Sequence, residues 1–381
     1  MTESRSGGCR SCGWAGVVTV LDLGPQPVAD DLFDTAGEAC RAPRYRLAVG
    51  RCEACGLVQL DPETPVLPHA SHGHGSTFSG TVQEHERAWT AELLRLPSLP
   101  REAKVLDVSG AGGMLRGFAD AGHVIRGGEF TDETFDLVIA NHSLSHADDL
   151  DAAVAGCARA LADSGTLAIE FHSVRSILEG GHFDVICHAH RSYLSLTALS
   201  GVLARHGLTV THARALPLHG GVVRLQARHS APGLPVGEDA TTIMAAEAAA
   251  GLDRPEAWRS VGDRAGRVRA RLREIVAGHR AAGRVVAAYG APSRGSTLLN
   301  FCDLGADELP WTADRSPDKQ GRFLPGVATE ILSPEELVRR RPDVVLVLVW
   351  PLREEVLAQL DSLRRAGTTF LFPLPEPEVV A

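Results

Sequence analysis

Lys104-Val105-Leu106-Asp107-Val108-Ser109-Gly110-Ala111-Gly112-Gly113 is the stretch on which the fold class turns. Its apolar run predicts a strand over Lys104–Val108, and the glycine-rich turn behind it lets a backbone approach a ligand closely. Asp107 is placed to accept a hydrogen bond from such a ligand or to cap the following helix. Taken alone the turn is a weak signal, so the neighbouring segments decide. Upstream, Val82–Leu96 carries apolar side chains at helical spacing until Pro97 and Pro100 break the pattern. Downstream come an expected strand over Phe135–Ala140, a helix over Leu150–Ala162 and a strand over Thr166–Phe171. That is α/β alternation.

A second unit of the same kind lies near the other end. Val285–Tyr289 reads as a strand, Gly290-Ala291-Pro292-Ser293-Arg294-Gly295-Ser296 as a turn, and Thr297 onward as a helix, with further strands at Trp311–Ala313 and Asp343–Val349. Strand, small-residue turn and helix N-terminus together aim backbone N–H groups at a phosphate. Asp314-Arg315-Ser316-Pro317-Asp318-Lys319-Gln320-Gly321-Arg322 follows a strand end. It supplies a carboxylate for a ribose hydroxyl, with Lys319 and Arg322 as phosphate or base partners; a solvated charged loop is the alternative. Between the two units the chain resumes a helix from Thr197 and forms strands on either side of His219-Gly220-Gly221. A long helical stretch over Thr241–Ala282 then reads as a connecting helical hairpin.

Two CxxC pairs, Cys9-Arg10-Ser11-Cys12 and Cys52-Glu53-Ala54-Cys55, stand ahead of both units. Each pair sets two thiolates on one side of a tight knuckle, and two knuckles complete a tetrahedral S4 site for Zn(II). Gly13–Arg51 would then be a loop or hairpin closed by the metal. A redox dithiol needs only one CxxC and usually a βαβ context that is missing here. With four protein thiolates no coordination position stays open, so this metal is expected to fold the segment rather than to catalyse.

With 381 residues the chain is too long for one ordinary core. We expect a zinc-binding domain over 1–75, a shortened Rossmann-like domain over 76–200 and a second Rossmann-like, nucleotide-binding domain over 201–381. A net charge of −9 argues against a nucleic-acid or anionic-membrane binder. No apolar run is long enough to span a bilayer, and Met1–Gly8 does not read as a signal peptide. The remaining cysteines lack paired spacing, which points to a reduced, cytoplasmic protein. The oligomeric state is left open, a monomer included.

Phe183-Asp184-Val185-Ile186-Cys187-His188-Ala189-His190-Arg191-Ser192-Tyr193 concentrates titratable groups in an otherwise apolar region. A histidine titrating near neutrality is a natural base for a proton next to a carbonyl. Packed or surface histidines are the bland alternative. His219-Gly220-Gly221 with Arg224 is a second such cluster, in which the glycines leave room for a ligand or form a plain β-bulge.

Taken together these blocks resemble the nucleotide-sugar C-methyltransferases that install methyl branches on antibiotic deoxysugars. The likeness runs through the paired CxxC knuckles, "RCEACGLVQL", "NHSLSHADDL", "FDVICHAHRSYLSL", "LPLHGGVVRLQARH" and "YGAPSRGSTLLNFCDLG", and so covers nearly the whole chain. The resemblance implies an enzyme acting on a thymidine-diphosphate 4-keto-6-deoxysugar. A histidine would remove the C3 proton and S-adenosylmethionine (SAM) would supply the methyl group. By the motif match His190 is the base and His188 its neighbour, while His219 and Arg224 face the sugar. Tyr289, Gly290, Arg294, Asp314 and Lys319, with Arg322, would hold the nucleotide diphosphate. Asp107, Gly110, Gly112, Glu129 and Asn141 would form the SAM site.

Three departures stand out against that family. Its H-E-H is here His188-Ala189-His190, so a carboxylate beside the base is missing. Its usual aromatic hydroxyl just before is Cys187. Between Val108 and Phe135 there are also only about two dozen residues, fewer than one βαβ unit normally needs. Either Ala121–Gly128 is a remnant second strand leading to Glu129, or the intervening elements are gone. Two other readings therefore stand beside methyl transfer: a SAM-independent epimerase of a keto-sugar nucleotide, and a non-catalytic homologue that binds a sugar nucleotide or a partner enzyme.

Overall fold

A computed structural model describes residues 8–65, 67, 78–109, 113–128, 130 and 132–381. Gly110, Gly112 and Glu129, three of the expected cofactor residues, lie outside the described residues. The N-terminal module opens with β1 (Val17–Pro27), α1 (Ala36–Cys40), β2 (Arg44–Cys52) and β3 (Val58–Leu60). β1 and β2 pair antiparallel over their whole length, so Gly13–Arg51 is the hairpin that the two knuckles close.

The central module follows with α2 (Gly80–Leu93), β4 (Lys104–Asp107), α3 (Gly113–Asp120) and β5 (Val124–Gly127). It continues with β6 (Phe135–Asn141), α4 (Leu150–Ala160), β7 (Leu161–His172) and α5 (Val174–Gly180). A two-residue strand, β8 (Ser192–Tyr193), leaves this module to pair with β3, which stitches the His188–Arg191 loop to the N-terminal sheet. α6 (Leu196–Arg205), β9 (Leu208–Leu216) and β10 (Val222–His229) return to the central sheet, whose order is β5-β4-β6-β7-β10-β9.

One open alternative is settled here and one expectation changes. The remnant second strand exists, as β5 paired parallel to β4, and the chain crosses from it directly to β6 on the other side of β4. The expected boundary at residue 200 cuts through the sheet, because β9 and β10 are hydrogen-bonded into it.

Two helices, α7 (Glu238–Ala250) and α8 (Pro255–Ala281), lead to the last unit. They do not pack as a hairpin: α7 covers β9 and α6, whereas α8 lies along β1 and α9. On α8 the buried Trp258, Val261, Ala265, Val268, Leu272 and Val276 recur at helical spacing. They make one stripe that joins the N-terminal module to the last unit in a shared core.

That unit contains β11 (Val286–Tyr289), α9 (Ser293–Cys302), β12 (Trp311–Ala313), β13 (Glu330–Leu332) and α10 (Pro334–Arg340). It ends with β14 (Val344–Val347), α11 (Arg353–Gln359), α12 (Asp361–Arg365), β15 (Thr369–Phe372) and β16 (Glu378–Val380). Its strand order is β13-β12-β11-β14-β15-β16, parallel except for β16. Both α/β sheets therefore reverse strand order at one point, between β4 and β6 and between β11 and β14. The crevice outside the carboxyl ends of the strands at such a point is where open sheets bind ligands. Asp107 and Asn141 end the first pair of strands; Tyr289 stands at the end of β11, and Val349 and Trp350 follow β14.

Candidate active site

Five imidazoles meet in one cleft, four delivered by loops or turns and one by a strand end. His142 and His146 sit in the short 3-10 turn after β6, His172 ends β7, His190 lies in the loop before β8, and His219 occupies the turn between β9 and β10. The ring centroids of His142 and His172 are 4.7 Å apart and those of His146 and His190 5.0 Å. His172 lies 5.9 Å from His190 and 5.7 Å from His219. One lobe of the cleft is lined by His142, Ser145, His172, His190 and Tyr193. The adjoining lobe shares His172 and is lined further by Ser176, His182, His219, Gly220, Gly221 and Arg294. The His190, His219 and Arg294 singled out in the sequence are thus brought together.

The backbone is arranged to allow this. His142 and His219 both hold left-handed φ, 56° and 53°, a conformation that non-glycine residues adopt sparingly and that concentrates at functional sites. Gly221 has φ 125°, and a Cβ there would lie 2.2 Å from Ser176 Oγ, so only glycine fits.

Burial disfavours charge on several of these rings. It lowers His172 well below the usual imidazole range, and its closeness to His142, His219 and His190 works in the same direction. It takes His219 down to about 3 and His182 to about 4. His190 is lowered as well, by burial, although the Val185 carbonyl and Asp30 pull the other way. His190 Nδ1 lies 3.0 Å from the Val185 carbonyl oxygen, to which it donates. The tautomer that this bond selects leaves Nε2 with a free lone pair. His146 Nδ1 is fixed in the same manner on the Ala189 carbonyl, at 3.0 Å. Arg191, almost fully buried, holds the loop in place by donating to the carbonyls of His188 and Leu67 and to Asp148.

Arg294 enters from the first turn of α9. Its guanidinium lies over the Trp350 ring, 5.1 Å from the centroid, and its Nε is 3.5 Å from Asp184. Asp184 in turn accepts a hydrogen bond from Trp350 Nε1 at 2.8 Å. One guanidinium nitrogen, Nη1, is buried without a hydrogen-bond partner among the described residues, the condition of a donor that waits for an anion.

Other expected residues are engaged elsewhere. Arg224 is 4% exposed and directly opposite Glu170 in the β7–β10 ladder. Its guanidinium bonds Glu170, His85 and Glu92 and stacks on Trp89, so it braces the sheet and does not face the cleft. His188 turns its ring toward Tyr45, 6.2 Å away, apart from the other histidines. The Tyr289 hydroxyl donates to Gln359 at 2.6 Å inside the core of the last unit. Gly290 makes room for Val349. Asp314 accepts from the backbone N–H groups of Ala291 and Ser316, and Lys319 donates to the Ala291 carbonyl, so both brace the turn before α9. Arg322 bonds Asp34 and the Leu32 carbonyl, which ties the last unit to the N-terminal module.

The residues to which the sequence reading gave no role are His142, His146, His172, His182, Glu170, Asp184 and Trp350. Glu170 and His172 alternate on β7 and so share a face at its carboxyl end, a period-two signal that could have exposed them. Alone, burial would raise the Glu170 carboxyl, but hydrogen bonds from His142 and His85 bring it well below the usual carboxylate range.

At the first crevice, Asp107 is buried and accepts from the Ser109 N–H at 2.9 Å. Asn141 has a buried Oδ1 with no partner among the described residues. Burial pushes the Glu86 carboxyl up, and Asp107 and Glu170 add to this against the pull of His85. An acidic crevice with an orphaned amide oxygen fits a ligand that carries an ammonium and a sulfonium, so these residues suit SAM.

At the N-terminus the four thiol sulfurs lie within 4.8 Å of one another, with Cys9–Cys55 at 3.5 Å and Cys12–Cys52 at 3.6 Å. Tetrahedral zinc at about 2.3 Å per bond sets sulfurs about 3.8 Å apart, so the set fits this metal. Cys55 is drawn down to about 5 by the Cys9 thiol, which itself rises; four thiolates together require a cation.

Comparison with known proteins assigns each of the three modules. Residues 9–66 match a "Putative zinc binding domain", residues 82–213 a "Methyltransferase domain", and residues 217–375 a "C-methyltransferase C-terminal domain". The chain is 30% identical over 407 aligned positions to the C-methyltransferase NovU of Streptomyces niveus, covering 98% of this chain and 96% of that one. The chain belongs to the C-methyltransferase family. Among solved structures, magnesium protoporphyrin IX methyltransferase from Synechocystis with bound SAM is 14% identical over 43% of this chain and 88% of its own, with a TM-score of 0.33. The YcgJ protein of Bacillus subtilis is 13% identical over 39% of this chain and 99% of its own, with a TM-score of 0.32. On its family matches and its full-length likeness to NovU this C-methyltransferase is SAM-dependent, and with its four-cysteine cluster it carries a zinc-binding N-terminal domain. In its structure the central sheet runs on to His229, past the junction of the two family matches.

Proposed function

We propose that the enzyme methylates a carbon next to the ketone of a nucleotide-linked keto-deoxysugar, with His190 as the base. The observation that carries this reading is the pinned His190 ring, whose free nitrogen shares a cleft with an unsatisfied guanidinium. His190 Nε2 takes the proton from the carbon beside the ketone. The neutral His219 and His172 can each donate an N–H toward the ketone oxygen as charge develops on it. Arg294, steadied on Trp350 and Asp184, pairs with the diphosphate and fixes the sugar against the histidines. Asp107, Glu86 and Asn141 would hold SAM, which supplies the electrophilic methyl group when bound. The near-neutral surroundings suit a base that must be unprotonated at physiological pH.

The test is incubation with a thymidine-diphosphate 4-keto-6-deoxyhexose in D2O, with and without SAM. A product heavier by one methyl group, with deuterium washing into unreacted sugar at the same carbon, is expected. Deuterium uptake without methylation under any SAM concentration would instead indicate an epimerase. Neither signal, with nucleotide binding intact, would overturn the assignment of His190. Arg294→Ala is expected to raise KM for the sugar nucleotide by about tenfold or more through loss of a charge-assisted contact.

A further inference from the structure

The parallel register of β6 and β7 sets Asn141 beside Glu170, and His142 follows at once. The His142 N–H donates to the Glu170 carbonyl at 2.8 Å, and its ring Nε2 lies 3.4 Å from Glu170 Oε1. One glutamate thus holds this histidine by main chain and side chain. Glu170 is buried, whereas 28% of the His142 side chain stays open. The ring lines the same lobe of the cleft as His190 and Tyr193, and its centroid is 4.7 Å from that of His172 and 6.1 Å from that of His219. His190 rests on a carbonyl; His142 rests on a carboxylate. A carboxylate keeps a proton on the nitrogen that faces it and favours the imidazolium, which then has its second N–H to give.

We propose that His142 is a second catalytic histidine, the general acid that gives a proton to the ketone oxygen while His190 takes one from the neighbouring carbon, with Glu170 as its positioning residue. This rests on the reading of His190 as the base and of the substrate as a ketone. As the C–H bond breaks onto His190 Nε2, its electron pair forms the carbon–carbon double bond. The carbonyl π pair moves to oxygen, which takes the Nδ1 proton of His142. Methylation of the enol carbon restores the carbonyl and returns that proton to His142, so the one proton released per turnover leaves from His190.

The groups around His142 come from several elements. β7 brings Glu170 and His172, and the β9–β10 turn brings His219; burial disfavours charge on both of these rings. β10 brings Arg224, which pairs with Glu170 through Oε2 and with Glu92, itself paired with Arg214. α2 brings His85, hydrogen-bonded to Glu170, and Glu86, whose carboxylate His142 favours. The turn itself brings His146, and Arg294 lines the other lobe. Glu170, Glu92 and Glu86 outnumber Arg224 and Arg214, a balance that suits a ring holding a proton.

The test follows deuterium wash-in to a thymidine-diphosphate 4-keto-6-deoxyhexose in D2O without SAM, as a function of pH, with the zinc-loaded full-length protein. His142→Gln is expected to slow wash-in at neutral pH by about tenfold or more and to erase the alkaline limb of the profile. The Kd of the sugar nucleotide should stay within about twofold of wild type, since the contact is made as charge develops. Glu170→Gln should move the alkaline limb to lower pH. The NMR titration of the His142 ring in the free protein, assigned by its loss in His142→Gln, should move with it. Wash-in by His142→Gln at the wild-type rate would overturn the proposal, as would a His142 titration in Glu170→Gln that coincides with wild type. Should Glu170→Gln fail to fold, the comparison of His142→Gln with wild type decides. A wild-type protein that neither washes in deuterium nor methylates would instead overturn the functional reading, so the two failures are told apart.

Discussion

His182 shows how one buried side chain ties the cleft to the stability of the whole molecule. It is 9% exposed, packs on Trp350 at 4.8 Å between ring centroids, and burial brings it to about 4 from an ordinary 6.5. A folded value below the unfolded one means that the unfolded chain binds more protons between those two pH values. The stability contributed by the neutral ring is therefore complete above about pH 6.5 and is lost progressively as pH falls toward 4. At pH 5 the loss for such a group is on the order of 1–2 kcal/mol. In guanidinium unfolding of the zinc-loaded protein, His182→Gln should lose less stability than wild type on going from pH 7 to pH 5, by about that amount. Parallel losses in the two proteins would show that His182 is not the group that takes up the proton. His219 and His172 push in the same direction, so the wild-type curve is expected to steepen below pH 6.5.

At the scale of elements, legibility in the sequence followed local pattern. β4, β6 and β11 are short apolar runs closed by glycine, asparagine or serine turns, and their fully buried faces announce them. β5 was ambiguous because it is an edge strand with Val124 57% exposed, and a solvated edge has little apolar signature. α7 and α8 were legible as helices but not in their partners, since an apolar stripe says that a face is covered and not by what. The same limit explains Arg224: the register that sets it opposite Glu170 joins residues 54 positions apart, and nothing local encodes it. The histidine cleft was half legible, its members scattered over three loops and a strand end that only the tertiary fold brings together. The CxxC knuckles were legible in full, because their chemistry is local. They also carry a prediction. The Cys9–Cys12 knuckle is pinned to α6 by Arg205, which donates to Ser11 and Asp151, so the metal closes the β1–β2 hairpin and anchors it to the central module. One zinc per chain should be released to a chromogenic chelator on thiol modification. Cys52→Ser should lower the thermal midpoint by several degrees or more, in line with structural zinc that contributes directly to folding. A metal-free Cys52→Ser protein with the wild-type midpoint would mean that the thiols are dispensable to the fold.

Across the whole molecule the cleft is lined by the central module and the last unit, and its β8 edge is paired to the N-terminal sheet, so its geometry depends on contacts that hold all three together. Asp30 with Ser293, Arg44 with Asn300 and Arg322 with Asp34 fasten the N-terminal module to the last unit. The central module is held by a different device. Glu355, at the start of α11, accepts from Ser79 Oγ and from the backbone N–H groups of Gly80 and Thr81, and so caps α2 from another module. A carboxylate at this position satisfies orphan donors and complements the helix dipole at once. Hydrogen bonds from Ser79 and the Thr81 and Gly80 backbone outweigh burial and bring Glu355 down to about 2, and Arg315 adds an ion pair at 3.1 Å. α2 carries His85, Glu86 and Glu92, and through them it meets Glu170 and the acidic crevice. Loosening its first turn should therefore reach the SAM side of the cleft while leaving the zinc knuckles untouched. Glu355→Ala is expected to cost about 1–3 kcal/mol in unfolding free energy by orphaning three donors. It should also speed amide exchange at Gly80–Val82 and weaken SAM binding measured by calorimetry. Glu355→Gln, which can still accept but carries no charge, should fall between the two. If exchange at Gly80–Val82 rises while SAM affinity stays at the wild-type value, α2 is anchored by Glu355 for stability alone, and the crevice is shaped without help from the last unit.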